Sequence, residues 1–182
     1  QNAQVMIDDK TITKEQAVVM NGAGVNLERF SFSPMPKDDI TKFLFVGRVM
    51  EEKGVNELFD AIKKIKSEEI KTEFGFLGWF EEDYSQIIKD LEAKDYIKYY
   101  GYQKDVIKFM REAHCIILPS YHEGMANVLL EGASIGRALI ATDIHGCKES
   151  IINGVSGFTC KVKDSGDLYD KIKKFAIMSY DD

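Results

Sequence analysis

The sequence predicts an α/β domain of the doubly wound, Rossmann-like class, in which helices cover both faces of a parallel β-sheet. From about residue 40 onward, short apolar runs alternate regularly with stretches whose apolar residues recur every three or four positions. This alternation is typical of strand–helix–strand crossover units, which make neighbouring strands parallel. The length of 182 residues suits a single hydrophobic core and is small for two.

Six strands are predicted from apolar runs that end in glycine, proline or a polar residue. In chain order they cover 42–47, 73–79, 96–102, 115–119, 137–143 and 157–162. The helices are predicted from apolar residues at helical spacing, near 55–65, 84–91, 106–110, 125–136, 147–152 and 165–178. Gly136 is expected to end the fourth helix, and Asp164 or Ser165 to cap the last one.

The first 40 residues follow a less regular pattern. Residues 17–26, AVVMNGAGVN, predict a strand and a glycine-rich turn, and two prolines within 31–39 predict a loop or linker. We therefore divide the chain into an interdomain segment with a first strand and loop, 1–40, and a Rossmann-like domain, 41–182.

Composition disfavours several classes of function. The formal net charge is −6, which argues against nucleic acid as a partner, although a few convergent cations still suffice for an anionic ligand. No apolar run reaches the roughly 18 residues that span a bilayer. The start of the chain lacks the regions of a secretory signal, but it also lacks methionine, which suggests a piece of a longer protein.

The three cysteines indicate a reducing environment. Cys115, Cys147 and Cys160 are odd in number and show neither CxxC nor CxxH spacing. We expect buried thiols in the cytoplasm, without a disulfide or a structural metal site. His114, which begins an apolar strand, is likewise expected to be structural.

Ligands of doubly wound sheets bind at the carboxyl ends of the strands, where loops lead into helices. In this chain the rule selects five loops, which are 47–54, 78–82, 101–105, 119–126 and 143–148. Two of these loops carry residue patterns that indicate chemistry.

The first pattern is GRVMEEKG, which begins at Gly47. Gly47 allows close backbone approach, while Arg48 and Lys53 bring two cations to the start of a helix, whose free N–H groups already favour an anion. An arginine side chain can donate hydrogen bonds to two phosphate oxygens at once, whereas lysine acts as a compact point charge. The alternative is a pair of exposed side chains that form salt bridges to Glu51 or Glu52.

The second pattern is PSYHEGMANVLLE, 119–131, in which Glu123 and Glu131 lie eight residues apart, about two helical turns. Carboxylates suit the vicinal hydroxyls of sugars, because each accepts two hydrogen bonds. The backbone of 124–127 is expected at a helix N-terminus, where N–H groups can bind phosphate. The alternative is an ordinary polar helix face, but the apolar residues 128–130 predict a largely buried helix, in which a carboxylate needs a partner or a ligand.

Together these motifs resemble the C-terminal domain of glycosyltransferase family 4, the retaining group 1 transferases of the GT-B fold. Four pieces of the sequence match the family. They are NGAGVNLERF at 21–30, the dipeptides Gly47–Arg48 and Lys53–Gly54, the E-x7-E motif of Glu123 and Glu131, and ALIATDIHGCKESIINGVSGF at 138–158. They follow one another along nearly the whole chain at the expected spacing, which makes the match specific. Within the family, the sequence resembles bacterial enzymes that build capsule, O-antigen or lipid-linked glycans, often from UDP-linked hexoses or N-acetylhexosamines.

The resemblance implies a role for each residue of the two patterns. Arg48 and Lys53 would bind the donor diphosphate, Glu131 the ribose, and Glu123 the donor sugar ring. Arg48, Lys53 and Glu123 are therefore the candidate catalytic residues. The full donor-binding set that the resemblance implies is Gly47, Arg48, Lys53, Glu123, Gly124, Met125, Ala126, Asn127, Val128 and Glu131.

The resemblance also implies surroundings for this set. Tyr102 and Val106 would form the wall against which the base packs, and Gly22 and Gly24 would lie near an interdomain crevice. The glycan or lipid-linked acceptor would bind through an N-terminal domain that is absent from this chain. We therefore expect the chain alone to bind nucleotide weakly and to transfer no sugar.

The implied reaction moves a hexose or N-acetylhexosamine from a nucleotide diphosphate sugar, with retention at the anomeric carbon. It needs no metal or other cofactor, and the chain lacks the DxD motif of metal-dependent transferases. The parent enzyme is expected in the cytoplasm, with peripheral contact at the inner face of the bacterial membrane where the acceptor is lipid-linked.

Other functions stay open at this point. A non-catalytic nucleotide-binding module of the Rossmann type fits the fold equally well, but it leaves both patterns unexplained. Another GT-B enzyme, such as a sugar-nucleotide epimerase or a glycan phosphorylase, is the second alternative, although the phosphorylase would need pyridoxal phosphate and a suitable lysine. A dinucleotide-dependent oxidoreductase is disfavoured, because no G-x-G-x-x-G follows the first clear strand.

Overall fold

The computed structural model of the protein describes residues 2–17 and 24–178, and it confirms the predicted fold class. Six strands form one sheet in which all neighbouring strands are parallel, in the order β3-β2-β1-β4-β5-β6. The strands are β1 Thr41–Val46, β2 Thr72–Leu77, β3 Lys98–Tyr99, β4 Cys115–Leu118, β5 Ala138–Thr142 and β6 Gly157–Cys160.

Helices connect the strands and cover the sheet. They are α1 Asn2–Asp8, α2 Val55–Ser67, α3 Ser85–Ala93, α4 Ile107–Glu112, α5 Asn127–Ile135 and α6 Ser165–Ala176. Three short 3-10 turns lie at Lys14–Gln16, Glu51–Lys53 and Lys148–Ser150. Helix α2 packs against α6, and α4 packs against α5. The chain order reverses between β1 and β4, so right-handed crossovers place these two pairs on opposite faces.

The hydrophobic core includes residues of α2, α5, α6 and the sheet, and aromatic side chains form one cluster of it between β1, β2 and α2. Phe43 and Phe74 occupy paired positions of β1 and β2, and their rings stack with centroids 5.0 Å apart. Phe45 and Phe76 repeat the arrangement two residues further along at 5.3 Å, and Phe59 of α2 packs on Phe76 at 5.5 Å. Such nearly continuous apolar strands are expected where a parallel sheet is covered on both faces.

All predicted element ends but one agree with the structure within two residues, and three elements differ from their prediction in length, start or type. The strand predicted at 96–102 is reduced to Lys98–Tyr99, because this edge strand pairs only with β2 and Gly101 turns away with a φ of 65°. Helix α5 begins at Asn127 instead of 125, because the Ala126 N–H donates to the Gly146 carbonyl at 2.8 Å. The helix predicted at 147–152 is a single 3-10 turn.

The predicted helix caps are confirmed. Gly136 follows α5 with a left-handed φ of 88°, and the Asp164 side chain accepts from the Asp167 N–H at 2.8 Å at the start of α6. The strand and turn predicted at 17–26 fall mostly on residues 18–23, which lie outside the described residues, as does Gly22. Gly24 is described and has a φ of 73°.

The buried polar groups bear out two predictions from the sequence. Cys115, Cys147 and Cys160 are buried free thiols, and burial raises the pKa of both Cys147 and Cys160 to about 12. His114 is buried and structural. Its Nδ1 accepts from the Lys42 N–H, and its Nε2 bonds the Pro36 carbonyl, each at 3.0 Å. None of the helices in the described part of the chain has the length and apolar character needed to cross a bilayer.

Candidate functional site

The candidate site lies at the carboxyl edge of the sheet, beside the point where the strand order reverses. Strands β1 and β4 are neighbours there, although 72 residues separate their paired positions Phe43 and Cys115. The loops that follow β1 and β4 are the two that carry the GRVMEEKG and PSYHEGMANVLLE patterns. Reversal points of this kind open a crevice for ligands in doubly wound sheets.

A cleft of about 500 Å³ opens between the loops that follow β1, β2 and β3. Five of its lining residues are predicted site residues, namely Gly47, Arg48, Lys53, Tyr102 and Val106. The other lining residues are Val46, Leu77, Gly78, Trp79 and Gln103. The predicted cations and the predicted base wall therefore share one cavity.

Close backbone approach brings the first two loops together. Gly78 has a φ of 150°, and a Cβ on it would lie 1.8 Å from the Gly47 carbonyl oxygen, so only glycine fits. The Gly47 N–H donates to the Leu77 carbonyl, and the Val49 N–H to the Trp79 carbonyl, each at 2.9 Å. These bonds extend the pairing of β1 with β2 into the loops and fix Arg48 at the wall of the cleft.

A second glycine joins the loops after β1 and β4. Gly54, with a φ of 68°, lies so close to β4 that a Cβ would stand 2.1 Å from the Pro119 carbonyl oxygen. The Tyr121 N–H donates to the Glu52 carbonyl at 2.8 Å across the same seam. The 3-10 turn that carries Lys53 therefore rests on the loop that carries Glu123.

Lys53 and Glu123 form a short ion pair at this seam. The lysine Nζ lies 2.6 Å from Oε1 of the glutamate, and the side chains are only 18% and 13% exposed. The Ser120 hydroxyl also donates to Oε1 at 2.8 Å, while the Thr142 hydroxyl donates to the Ser120 carbonyl at 2.5 Å. Burial and these charge-assisted bonds hold Glu123 in one orientation.

Arg48 pairs more loosely, on the opposite wall. Its Nη1 lies 3.5 Å from Oε1 of Glu81, and both side chains are nearly half exposed. The indole N–H of Trp79 donates to the same carboxylate at 3.2 Å, and the Trp79 ring lies 5.5 Å from that of Tyr102. The alternative that the two cations form salt bridges to Glu51 or Glu52 does not hold for the ion pairs of the described residues, because the partners Glu81 and Glu123 come from other loops.

The backbone before α5 provides free donors. The N–H groups of residues 122–125 have no acceptor among the described residues, and a Cβ at Gly124 would meet no atom within 4 Å. The structure therefore leaves open space beside this segment. Gly146, on the loop after β5, packs against the Glu123 and Gly124 carbonyls and holds the segment in place. The predicted donor residues Met125 to Val128 lie here, at the N-terminal end of a nine-residue helix.

Glu131 lies further along α5 and is partly buried. Burial raises the pKa of its carboxyl above the ordinary value, and the positive charge of Arg29 offsets part of the rise. Glu131 does not line the cleft described above, and neither do the predicted residues 123–128. Of these residues, Glu123 is joined to the cleft by its ion pair with Lys53.

Comparison with known proteins places this architecture in a family. Residues 28–179 match the family model described as glycosyl transferases group 1. The chain belongs to this family. The predicted resemblance to the group 1 transferases is therefore confirmed.

Individual relatives of this group 1 domain are distant. A Campylobacter jejuni N,N'-diacetylbacillosaminyl-diphospho-undecaprenol alpha-1,3-N-acetylgalactosaminyltransferase is 26% identical over 88% of this chain and 45% of its own length. An uncharacterized glycosyltransferase of Methanocaldococcus jannaschii is 30% identical over 90% of this chain and 44% of its own length. The chain thus spans less than half the length of these curated relatives.

Solved structures share the fold of this group 1 domain. A glycosyltransferase from Rickettsia africae matches 99% of this chain and 52% of its own with a TM-score of 0.78 at 21% identity. HepE from Anabaena, in complex with UDP-glucose, matches 94% of this chain and 51% of its own with a TM-score of 0.76 at 18% identity.

Three side chains in or beside the site of this group 1 domain were not predicted from the sequence. Trp79 and Glu81 lie in the selected loop 78–82, but no motif distinguished them from ordinary loop residues. Tyr121 lies inside the second pattern and binds Glu57, yet a tyrosine beside two acidic motifs gives no spacing signal. Only the three-dimensional contacts assign these residues to the site.

Proposed function

We propose that this chain is the donor-binding domain of a retaining glycosyltransferase. The full enzyme transfers a hexose or N-acetylhexosamine from a UDP-linked donor to a glycan or lipid-linked acceptor in bacterial surface polysaccharide synthesis. The observation that carries the proposal is the cleft at the carboxyl ends of β1, β2 and β3, in which Arg48, Lys53 and an aromatic wall meet. The UDP-glucose complex of HepE and the name of the Campylobacter relative support the class of donor and acceptor.

The diphosphate binds between the two cations and the backbone of 122–125. Arg48 contributes a planar group that can bond two oxygens, and Lys53 contributes a compact charge. The unpaired N–H groups before α5 add donors at the positive end of a helix. Because negative charge grows on the diphosphate as the sugar leaves, fixed donors here lower the barrier, and no metal or other cofactor is required.

The nucleoside and the donor sugar bind on either side of the diphosphate. The exposed rings of Trp79 and Tyr102 offer a surface for the base, with Val106 behind them. Glu131 accepts from the ribose hydroxyls. Glu123 uses Oε1 for Lys53 and Ser120, so Oε2 accepts from a hydroxyl of the donor sugar.

The acceptor binds through a further domain of the full-length enzyme, since this chain spans less than half the length of the curated relatives it matches. Transfer requires both domains, because the acceptor hydroxyl must reach the anomeric carbon. We therefore expect this chain to bind donor without transferring sugar. Sugar transfer by the chain alone would contradict the proposal that the acceptor binds through a further domain.

Calorimetric titration of UDP and UDP-sugars into the chain tests the proposal. Arg48→Ala is expected to weaken binding about 10- to 100-fold, since a charged hydrogen bond contributes about 1.5–3 kcal/mol. Glu131→Ala should also weaken binding, through the ribose. Lys63→Ala is the control, because Lys63 is an exposed cation paired with Asp60 on the outer face of α2. Equal affinity in the wild type, Arg48→Ala and Glu131→Ala would contradict the proposal.

A further inference from the structure

The loops that follow β1 and β4 are joined by a side-chain contact outside the cleft. The Tyr121 hydroxyl lies 2.8 Å from both carboxylate oxygens of Glu57, in the first turn of α2. The Tyr121 N–H donates to the Glu52 carbonyl at 2.8 Å. One tyrosine therefore ties its loop to the helix that begins just after Lys53, through both backbone and side chain.

The contact is held firmly. The ammonium of Lys163, on the loop after β6, lies 4.5 Å from the centre of the Tyr121 ring. Lys163 has a φ of 56°, an unfavourable backbone conformation for lysine that the surrounding structure maintains. Burial raises the pKa of the Tyr121 phenol far above its ordinary value, and the Glu57 carboxylate adds to the rise, so the hydroxyl remains a donor at neutral pH.

The position of this contact relates it to the diphosphate. Tyr121 directly precedes the unpaired N–H groups of 122–125, and Glu57 lies four residues after Lys53. Neither residue lines the cleft. The contact thus spans the two halves of the proposed diphosphate site without taking part in it.

We propose that Tyr121 and Glu57 are positioning residues, which set the distance between Lys53 and the N–H groups of 122–125. This inference rests on the proposed function. Donors that bind one diphosphate from two separate loops must keep their spacing, because a displacement of about 1 Å can reduce such an interaction severely. The Tyr121–Glu57 bond fixes the spacing before the ligand arrives. It therefore governs affinity for the diphosphate and leaves affinity for the nucleoside unchanged.

The test compares two ligands across matched variants of the chain. Tyr121→Phe removes the bond and keeps the ring, while Glu57→Gln keeps an acceptor oxygen. Tyr169→Phe is the control, because the Tyr169 hydroxyl bonds Glu68 in a second tyrosine–glutamate contact with α2 outside the site. UDP and uridine are titrated into each protein, and thermal unfolding monitors the fold.

We expect Tyr121→Phe to weaken UDP binding about three- to tenfold, less than the loss of a direct charged contact, because Tyr121 acts only through the spacing of the groups that touch the diphosphate. Uridine affinity should stay within about twofold, Glu57→Gln should retain most of the UDP affinity, and Tyr169→Phe should change neither ligand. Unchanged UDP binding in Tyr121→Phe would overturn the inference. An equal loss for UDP and uridine would also overturn it, because it would indicate general support of the fold. A wild-type chain that binds neither ligand would instead overturn the proposed function.

Discussion

Glu131 combines a structural penalty with a proposed role in binding. Its carboxyl is partly buried, and burial raises its pKa because the charged form is poorly solvated. In the unfolded chain the same group titrates near its ordinary value of about 4.3. At neutral pH the folded state therefore holds a carboxylate that would be more stable in water, and this lowers the free energy of unfolding. Below the unfolded pKa the group is protonated in both states, and the penalty vanishes.

Glu131→Gln is therefore expected to stabilise the unliganded chain and to weaken nucleotide binding. We expect the Tm to rise by about 1–3 °C at pH 7, with the gain disappearing as the pH falls below about 4. Exposed Glu69→Gln should leave the Tm unchanged across the same range. A drop in the Tm at pH 7, or a gain that persists at pH 3.5, would show that burial does not penalise the charge.

The residues of the site differ in how far sequence could predict them. Lys53 and Glu123 lie 70 positions apart, and both were predicted because each follows a strand end at the carboxyl edge of the sheet. Their direct pairing at 2.6 Å was not predicted, since side-chain partners depend on how the two loops pack. For the same reason the Glu81 partner of Arg48 was missed.

Among the elements, the close contact between the loops after β1 and β4 requires a glycine at position 54. Gly54→Ala places a methyl group 2.1 Å from the Pro119 oxygen and requires a left-handed backbone for alanine. We expect it to lower the free energy of unfolding by at least about 2 kcal/mol and to reduce UDP affinity by shifting Lys53. Denaturant unfolding and calorimetry measure the two effects.

Gly124→Ala provides the matched control for the glycine seam. A Cβ there meets no atom within 4 Å, so stability should stay within about 0.5 kcal/mol of the wild type. If both alanine variants were equally stable, the close approach of Gly54 to β4 would not determine the geometry of the seam.

Element types were predictable because their periodicity is a local property, whereas two boundaries were decided by distant contacts. β3 is shorter than its apolar run because an edge strand has one neighbour, and beyond Tyr99 only the Tyr100 N–H and the Gly101 carbonyl still bond the segment of β2 and its loop, at Phe76 and Gly78. Helix α5 starts late because Gly146, twenty residues away, accepts the Ala126 N–H. Neither contact leaves a signal in the local sequence.

At the scale of the whole molecule, alternation of strands and helices predicted a parallel sheet but did not give the strand order. The order places the chain reversal between β1 and β4, and this neighbour relation assembles the site from two distant motifs. The molecule carries a net charge of −6, yet the cleft concentrates Arg48 and Lys53. Local arrangement of cations, not total charge, therefore determines which ligand it attracts.

Because the two cations take the place of a metal ion in this account, chelation should have no effect on the full-length enzyme. We expect transfer from a UDP-sugar to stay within about twofold when excess EDTA is added, since the charge on the leaving diphosphate is balanced by fixed side chains. A glycosyltransferase with a DxD motif, assayed in parallel, verifies that the chelator is effective. Loss of transfer with EDTA and its recovery with Mg²⁺ would contradict this.

The central claim is that a nucleoside diphosphate binds at the carboxyl edge of the sheet, between the loops after β1 and β4. Mapping of amide chemical shifts during a UDP titration of the chain tests it most directly. We expect the perturbed amides to cluster at 47–54, 78–82, 101–106 and 122–131, while 136–139 and 154–157 at the opposite edge stay unchanged. Perturbations concentrated at that opposite edge, or none at saturating UDP, would contradict it.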